Sequence, residues 1–221
     1  MERRYSKLLR LSDDNEIFWT NDTRPKDATQ SYRDDLLFIR KNGSAIQNLY
    51  HPNLVNEFIR HSLLGEDDDK ITPEHFKLAI QYIWTIDKLT VEAIKTLHSN
   101  LYEYAVINES KKEILETLIE LVYEEQDITI RENKDVLIKL TVLAAWFVWE
   151  FYALNPFDKG NTIIGRLIFA YLLKPVTKSP IWLHSPDHIF THDINYLVPS
   201  PFVRYCISCV KKYCADIHSF L

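Results

Sequence analysis

Beyond residue 52 the apolar positions recur with the period of a helix, and a glycine with an acidic run, a proline or a capping residue marks the changes of segment. Over Asn53–Leu64, Leu54, Val55, Phe58, Ile59 and Leu63 share a face, which predicts an amphipathic helix stopped by Gly65 and Glu66-Asp67-Asp68-Asp69. Thr72-Pro73-Glu74 reads as a helix start: a hydroxyl to cap free amides, a proline that needs no amide partner, and an acid facing the helix dipole. That helix extends to about Thr85. Thr90 caps the next, which passes through Ala93, Ile94, Leu97 and Leu101 to Tyr104. Ser110-Lys111-Lys112-Glu113 has the spacing of a capping box and predicts a helix through Ile114, Leu115, Leu118, Leu121 and Val122.

Residues 134–153 differ in kind, because Leu140–Trp149 is apolar on nearly every side. A bilayer span wants ~20 residues with few or no charges. Leu137–Leu154 carries Lys139 and Glu150 as well as Thr141, so it reads as a buried central helix, with no membrane span expected. Asn155-Pro156 ends it, since proline disfavours helical geometry in the residue before it. A helix resumes near Asn161 and continues to Leu173. Pro175, Pro180, Pro186, Pro199 and Pro201 then predict irregular chain until a last helix from Phe202. Residues 1–52 are mixed, with short apolar runs at Leu8–Leu11, Ile17–Trp19 and Leu36–Ile39. They read as an irregular extension, with one or two short helices, packed on a helical domain over 53–221. The fold class expected is all-α, organised by helix–helix packing.

Composition sharpens this in three respects. Hydrophobic residues at 46% supply a substantial core, and only four glycines argue against a fold rich in β-turns. A net charge of −5, with no basic stretch in the C-terminal half longer than Lys211-Lys212, argues against nucleic acid as the partner. Three cysteines near the C-terminus form no disulfide framework and suit a reducing compartment, a cytosol, its own or a host's. The opening Met1-Glu2-Arg3-Arg4 leads into no apolar stretch of signal-peptide length.

The chemistry concentrates at the helix junction Asn155-Pro156-Phe157-Asp158-Lys159-Gly160-Asn161-Thr162-Ile163-Ile164-Gly165-Arg166, which holds two of the four glycines. A buried helix, a tight turn and a new helix make an anion site, because the exposed amides at the second helix's start face the turn and the dipole favours negative charge there. Glycine lets a phosphate approach the backbone without a Cβ in the way. The bland alternative is a polar turn joining two buried helices. A third reading, Asn-Pro-Phe as an exposed peptide ligand, fits poorly between two strongly apolar helices.

The stretch resembles the signature of the Fic (Fido) family, His-Pro-Phe-x-(Asp/Glu)-Gly-Asn-Gly-Arg-x-x-Arg. Six positions match: Pro156, Phe157, Gly160, Asn161, Arg166 and the common family glycine at Gly165. The apolar helices on either side match as well, and Leu89–His98 looks like the family's helix bearing a Leu-His pair. The resemblance covers 53–173 and implies a Fic-like helical bundle, with ATP as the cofactor and a protein hydroxyl as the acceptor of AMP. It also implies nucleotide or anion contacts at Lys159, Gly160, Asn161 and Arg166.

The departures from the signature bear on activity. The family's histidine is the general base that takes a proton from the target hydroxyl, and here that position is Asn155, whose amide has no basic lone pair near neutral pH. The family acid that binds Mg²⁺ is replaced by Lys159, a cation that repels a metal, and Asp158 is one residue out of register. Thr162 and Ile163 replace a glycine and a phosphate-binding arginine, and no histidine lies between His98 and His184. Only Ala105–Glu109 separates the two predicted helices where the family carries a β-hairpin flap, too short for two strands. The expectation is a pseudoenzyme acting by protein contact; the alternative is a divergent nucleotidyl- or phospho-transferase.

A further pattern resembles the family's inhibitory helix, (Ser/Thr)-x-x-x-Glu-(Gly/Asn). Ser62 and Glu66 have its spacing, with Asp67 in the last position, which implies a pair between Glu66 and Arg166. The plainer reading makes Glu66 the start of a solvated acidic loop. No metal site is expected. Cys206, Cys209, Cys214 and His218 on one helix would put Cys206 and His218 ~18 Å apart, too far for one tetrahedral ion. His184, His188 and His192 with Asp187 and Asp193 read as polar turn residues. Glu66–Asp69 lacks the alternation of a calcium loop.

Overall fold

The computed structural model describes residues 26–47, 52–63, 71–102, 106–183 and 200–217, with backbone alone for 26–30 and 200–201. Eight α-helices lie in these segments and no strand: α1 (Lys26–Asn42), α2 (Pro52–Leu63), α3 (Pro73–Thr85), α4 (Val91–Ser99), α5 (Glu109–Glu132), α6 (Val136–Leu154), α7 (Asn161–Leu172) and α8 (Ser200–Asp216). A 3-10 turn, Gly43–Ile46, follows α1. Among the described residues the chain is all-α, as the periodicity predicts.

α6 is the axis of the bundle, packed by α5, α7 and α8. It has the length and hydropathy of a membrane-crossing helix, yet 78% of its apolar window is buried inside the protein. Trp146, Phe147, Trp149 and Phe151 lie fully within the core. Lys139, one of its two charges, reaches out to Glu132 at the end of α5, at 2.5 Å. The rest of the fold follows from what α6 and α7 must cover: α2, α3 and α4 pack on α7, and α1 packs on α8 and α6.

Local chemistry sets the helix starts. The Thr72 hydroxyl accepts from the His75 amide at 3.3 Å and the Thr90 hydroxyl from the Ala93 amide at 3.0 Å, as expected of N-caps. Ser110 is not a cap. Asn108 takes that place, its side chain accepting from the Ser110 amide at 3.0 Å, so α5 begins two residues earlier. α4 ends at Ser99, short of Tyr104, because Leu101 and Tyr102 turn back with their amides on the His98 carbonyl.

Residues 26–42 are more regular than the sequence suggests, forming one 17-residue helix that absorbs Leu36–Ile39. Tyr32, Leu36 and Ile39 give it a narrow buried face, and the buried Asp35 carboxylate receives Ser208 Oγ at 2.7 Å and Lys211 Nζ at 2.6 Å from α8. On α8, Cys206, Cys209 and Cys214 are buried thiols in no disulfide, part of the core with Val210, Tyr213 and Ile217. Among the described residues no group of His, Cys, Asp and Glu is placed to hold a metal ion. Glu66–Asp69, His184, Asp187, His188, His192, Asp193 and His218 lie outside the described residues.

Candidate functional site

The turn between α6 and α7 is built on two left-handed residues. Asn155 closes α6 in the left-handed region, at φ 46° and ψ 63°, its amide donating to the Phe151 carbonyl at 3.0 Å. Asparagine tolerates that conformation better than most residues, and the proline after it removes the helical option. Gly160 is also left-handed, at φ 76°, and a Cβ there would stand 2.2 Å from Cε2 of the Tyr102 ring. Glycine is required twice over at this position.

Asn161, the first residue of α7, ties the turn together. Its Oδ1 accepts from the Phe157 amide at 3.1 Å, and its Nδ2 donates to the Phe157 carbonyl and to Asn155 Oδ1, both at 2.7 Å. The Asn155 side chain is therefore held as an acceptor. Its main-chain carbonyl receives Lys111 Nζ from α5 at 2.7 Å, a cation at the negative end of the α6 dipole.

α4 clamps the turn from the other side. The His98 ring stacks on Phe157 at 4.0 Å and on Tyr102 at 4.7 Å, and its Nε2 lies 3.1 Å from the Lys159 carbonyl. A carbonyl only accepts, so Nε2 carries the proton and Nδ1 presents a bare lone pair, buried with no hydrogen-bond partner among the described residues. Lys159 Nζ sits over the Tyr102 ring, 4.7 Å from its centre. Gly160 has no side chain to take the free amides that begin α7. α7 thus begins without a side-chain cap, in a turn that also holds Lys159 over Tyr102 and Lys111 on the Asn155 carbonyl, and a helix start of this kind favours negative charge.

Burial pushes the His98 pKa down, aided by the Lys159 charge and opposed by the bond to the Lys159 carbonyl. The unfolded chain then binds a proton that the folded one refuses, so folding loses stability as pH falls below the ordinary value of 6.5. His61, half-buried and stacked on Trp182, is lowered as well and acts with the same sign. Denaturant titrations between pH 7 and pH 5 are expected to show stability declining with acid, and His98→Phe, which keeps a ring in the stack, should flatten that decline without abolishing it.

The structure brings Asn155, Lys159, Gly160 and Asn161 together. Arg166 lies elsewhere, more than one helical turn along α7 and 3% exposed. Its Nη1 donates to the Ser62 carbonyl at the end of α2. The position of Glu66, four residues on, is outside the described residues. Gly165 has a packing role, because a Cβ there would meet Cε1 of Tyr152 at 2.3 Å. Tyr102 and Lys111 were not legible as site residues. His98 stood out only through its Leu-His pair, and its tie to Lys159 spans 61 residues.

By sequence the chain matches no protein-family model and no curated protein. By structure it has a Fic-like fold. A solved structure of Fic-1 from C. elegans superposes with a TM-score of 0.56 at 16% identity, covering 99% of this chain and 73% of that one. A second structure of that protein, carrying one Glu-to-Gly substitution, gives a TM-score of 0.52 at 15% identity, covering 100% of this chain and 73% of the other.

Proposed function

We propose that this chain is a Fic-like pseudoenzyme: it keeps the scaffold, has lost AMP transfer to protein hydroxyls, and acts by contact with another protein. The observation that carries the reading is Asn155. In a Fic-like fold this residue ends the buried helix where the resemblance places the general base, and its side-chain oxygen accepts from Asn161 at 2.7 Å. A carboxamide takes no proton from a hydroxyl near neutral pH, and loss of a general base costs on the order of 10²–10⁴-fold. His98 does not replace it, since its basic Nδ1 is buried and the ring is stacked between Phe157 and Tyr102. Buried thiols in no disulfide suit work in a reducing cytosol.

Residual nucleotide or anion binding at Lys159, Gly160 and Asn161, without Mg²⁺, belongs to this proposal. So does a pair between Glu66 and Arg166, supported by the bond from Arg166 to Ser62, the residue that begins the inhibitory-type pattern. A second reading, a divergent nucleotidyl- or phospho-transferase, draws on the two ammoniums at the turn, which would stand in for a metal's charge.

Incubation with α-labelled and γ-labelled ATP, with and without Mg²⁺, separates the two. The expected result is no label on the protein or on added lysate proteins from either nucleotide. Asn155→His combined with Glu66→Gly is expected to stay silent too. A histidine tolerates the left-handed backbone, but Lys159 and Ile163 remain where the signature has an acid and an arginine. Label transfer that disappears in Asn161→Ala would overturn the pseudoenzyme reading and support the transferase.

A further inference from the structure

Away from the signature turn, a cleft of about 400 Å³ opens between the start of α2, the face of α3 from Lys77 to Trp84 and the loop after α7, lined in part by Val55, Lys77, Ile80, Trp84, Lys178 and Pro180. Its layers differ in chemistry. Ile80 and Pro180 are buried and form the floor, Val55 and Trp84 are half-buried walls, and Lys77 and Lys178 are exposed on the rim. Among the described residues no carboxylate lines it, in a chain whose net charge is −5. The local charge therefore runs against the charge of the whole molecule.

The cleft is held open from beneath. Lys174 Nζ, from the end of α7, donates to the Trp84 carbonyl at 2.7 Å and to the Ile86 carbonyl at 3.2 Å. That cation satisfies the free carbonyls at the end of α3 and fixes the turn of helix that carries Trp84. Thr177 Oγ1 donates to the Leu173 carbonyl at 3.2 Å, which anchors the loop bearing Lys178 and Pro180. Little ordering is left for a ligand to drive, and preorganisation of this kind favours binding.

We propose that this cleft is a docking site for an acidic peptide segment of a partner protein that inserts one large apolar side chain. The volume is at the lower end of the ~300–1,000 Å³ typical of ligand sites. A small molecule in such a site usually loses most of its surface to the protein, which a cleft with so exposed a rim does not provide. A single aromatic or aliphatic side chain does fit, resting on Ile80 and Pro180 beside the Trp84 indole. Lys77 and Lys178 then meet carboxylates on the backbone to either side, while Asn56 and Gln81 offer amide partners to the peptide chain. The site stands whether or not the signature turn binds a nucleotide.

The test uses the full chain, ¹⁵N-labelled, and an acetylated and amidated pentapeptide with a central Phe between two pairs of Asp. Saturable shifts centred on the Trp84 indole N–H are expected at millimolar peptide. The same peptide with Lys for Asp should not shift it, nor should one with Gly for Phe. Lys77→Glu with Lys178→Glu changes exposed side chains and leaves the core alone. From two exposed ion pairs reversed in sign, affinity is expected to fall roughly tenfold or more. Three results would each overturn the proposal: no saturable shift, equal response to the Lys peptide, or a shift pattern centred away from Trp84.

Discussion

Gly160→Ala is expected to lower the stability of the protein by about 3 kcal/mol. Two costs add. A non-glycine residue at the observed φ of 76° loses on the order of 1 kcal/mol. The new methyl also meets Cε2, Cζ and the hydroxyl of Tyr102 at 2.2, 2.6 and 2.8 Å. Those atoms belong to a ring that is 6% exposed, stacks on His98 and carries Lys159 above it, so it does not swing aside as the end of a flexible chain would. Overpacking of this kind typically costs ~1–3 kcal/mol. Chemical denaturation measures the sum, and a cycle with Tyr102→Ala apportions it. The steric share should vanish in the double variant, leaving a coupling of about 1–2 kcal/mol between the two positions. A loss below ~0.5 kcal/mol for Gly160→Ala would mean that the turn does not hold Tyr102 against Gly160.

The elements that were legible in the sequence are those whose determinants lie within a few residues of each other. Thr72 and Thr90 cap as read because a hydroxyl meets an amide three residues on, with nothing distant involved. Ser110 shows the limit of that logic. Asn108 stands two residues earlier with a better acceptor, and it takes both the Ser110 amide and the Ser110 hydroxyl, the latter at 2.8 Å. α1 was hidden for a different reason. Its buried face is narrow and includes Asp35, an acid that is stable there only through Ser208 and Lys211, more than 170 residues away.

The candidate site divides along the same line. Asn155, Pro156, Gly160 and Asn161 announce a turn because each answers a local backbone demand. The direction of Arg166 is set by the carbonyl at the end of α2, 104 residues distant, and that of His98 by the Lys159 carbonyl. Neither contact has a local signature.

Asn161→Asp tests whether this turn is closed by a donated amide, and it is expected to cost about 1–2 kcal/mol near pH 7. The change is nearly isosteric and falls on the first residue of α7, where a negative charge gains ~0.3–1 kcal/mol from the helix dipole. Considered alone, that would stabilise the protein. Against it, Asn161 uses one acceptor and two donor contacts, and a carboxylate keeps only the acceptor contact with the Phe157 amide. The oxygen that replaces Nδ2 stands 2.7 Å from both the Phe157 carbonyl and Asn155 Oδ1. Asn155 can turn its amide to donate, so one conflict relaxes, but the Phe157 carbonyl cannot change its role. One buried-edge repulsion and a lost bond outweigh the dipole. The pH dependence identifies the cause. The conflict raises the new carboxyl's pKa in the folded state, so the folded chain holds its proton longer than the unfolded one, and the deficit relative to wild type should shrink as pH falls through that raised value. This is the opposite sign from His98, whose effect cancels in the comparison. A deficit that stays constant with pH, or none at all, would show that Asn161 does not donate to Asn155 and Phe157. If the deficit behaves as expected, any anion that recruits the Asn161 amide must first take it from these two partners. That internal competition would weaken binding at the turn independently of the loss of the base at Asn155.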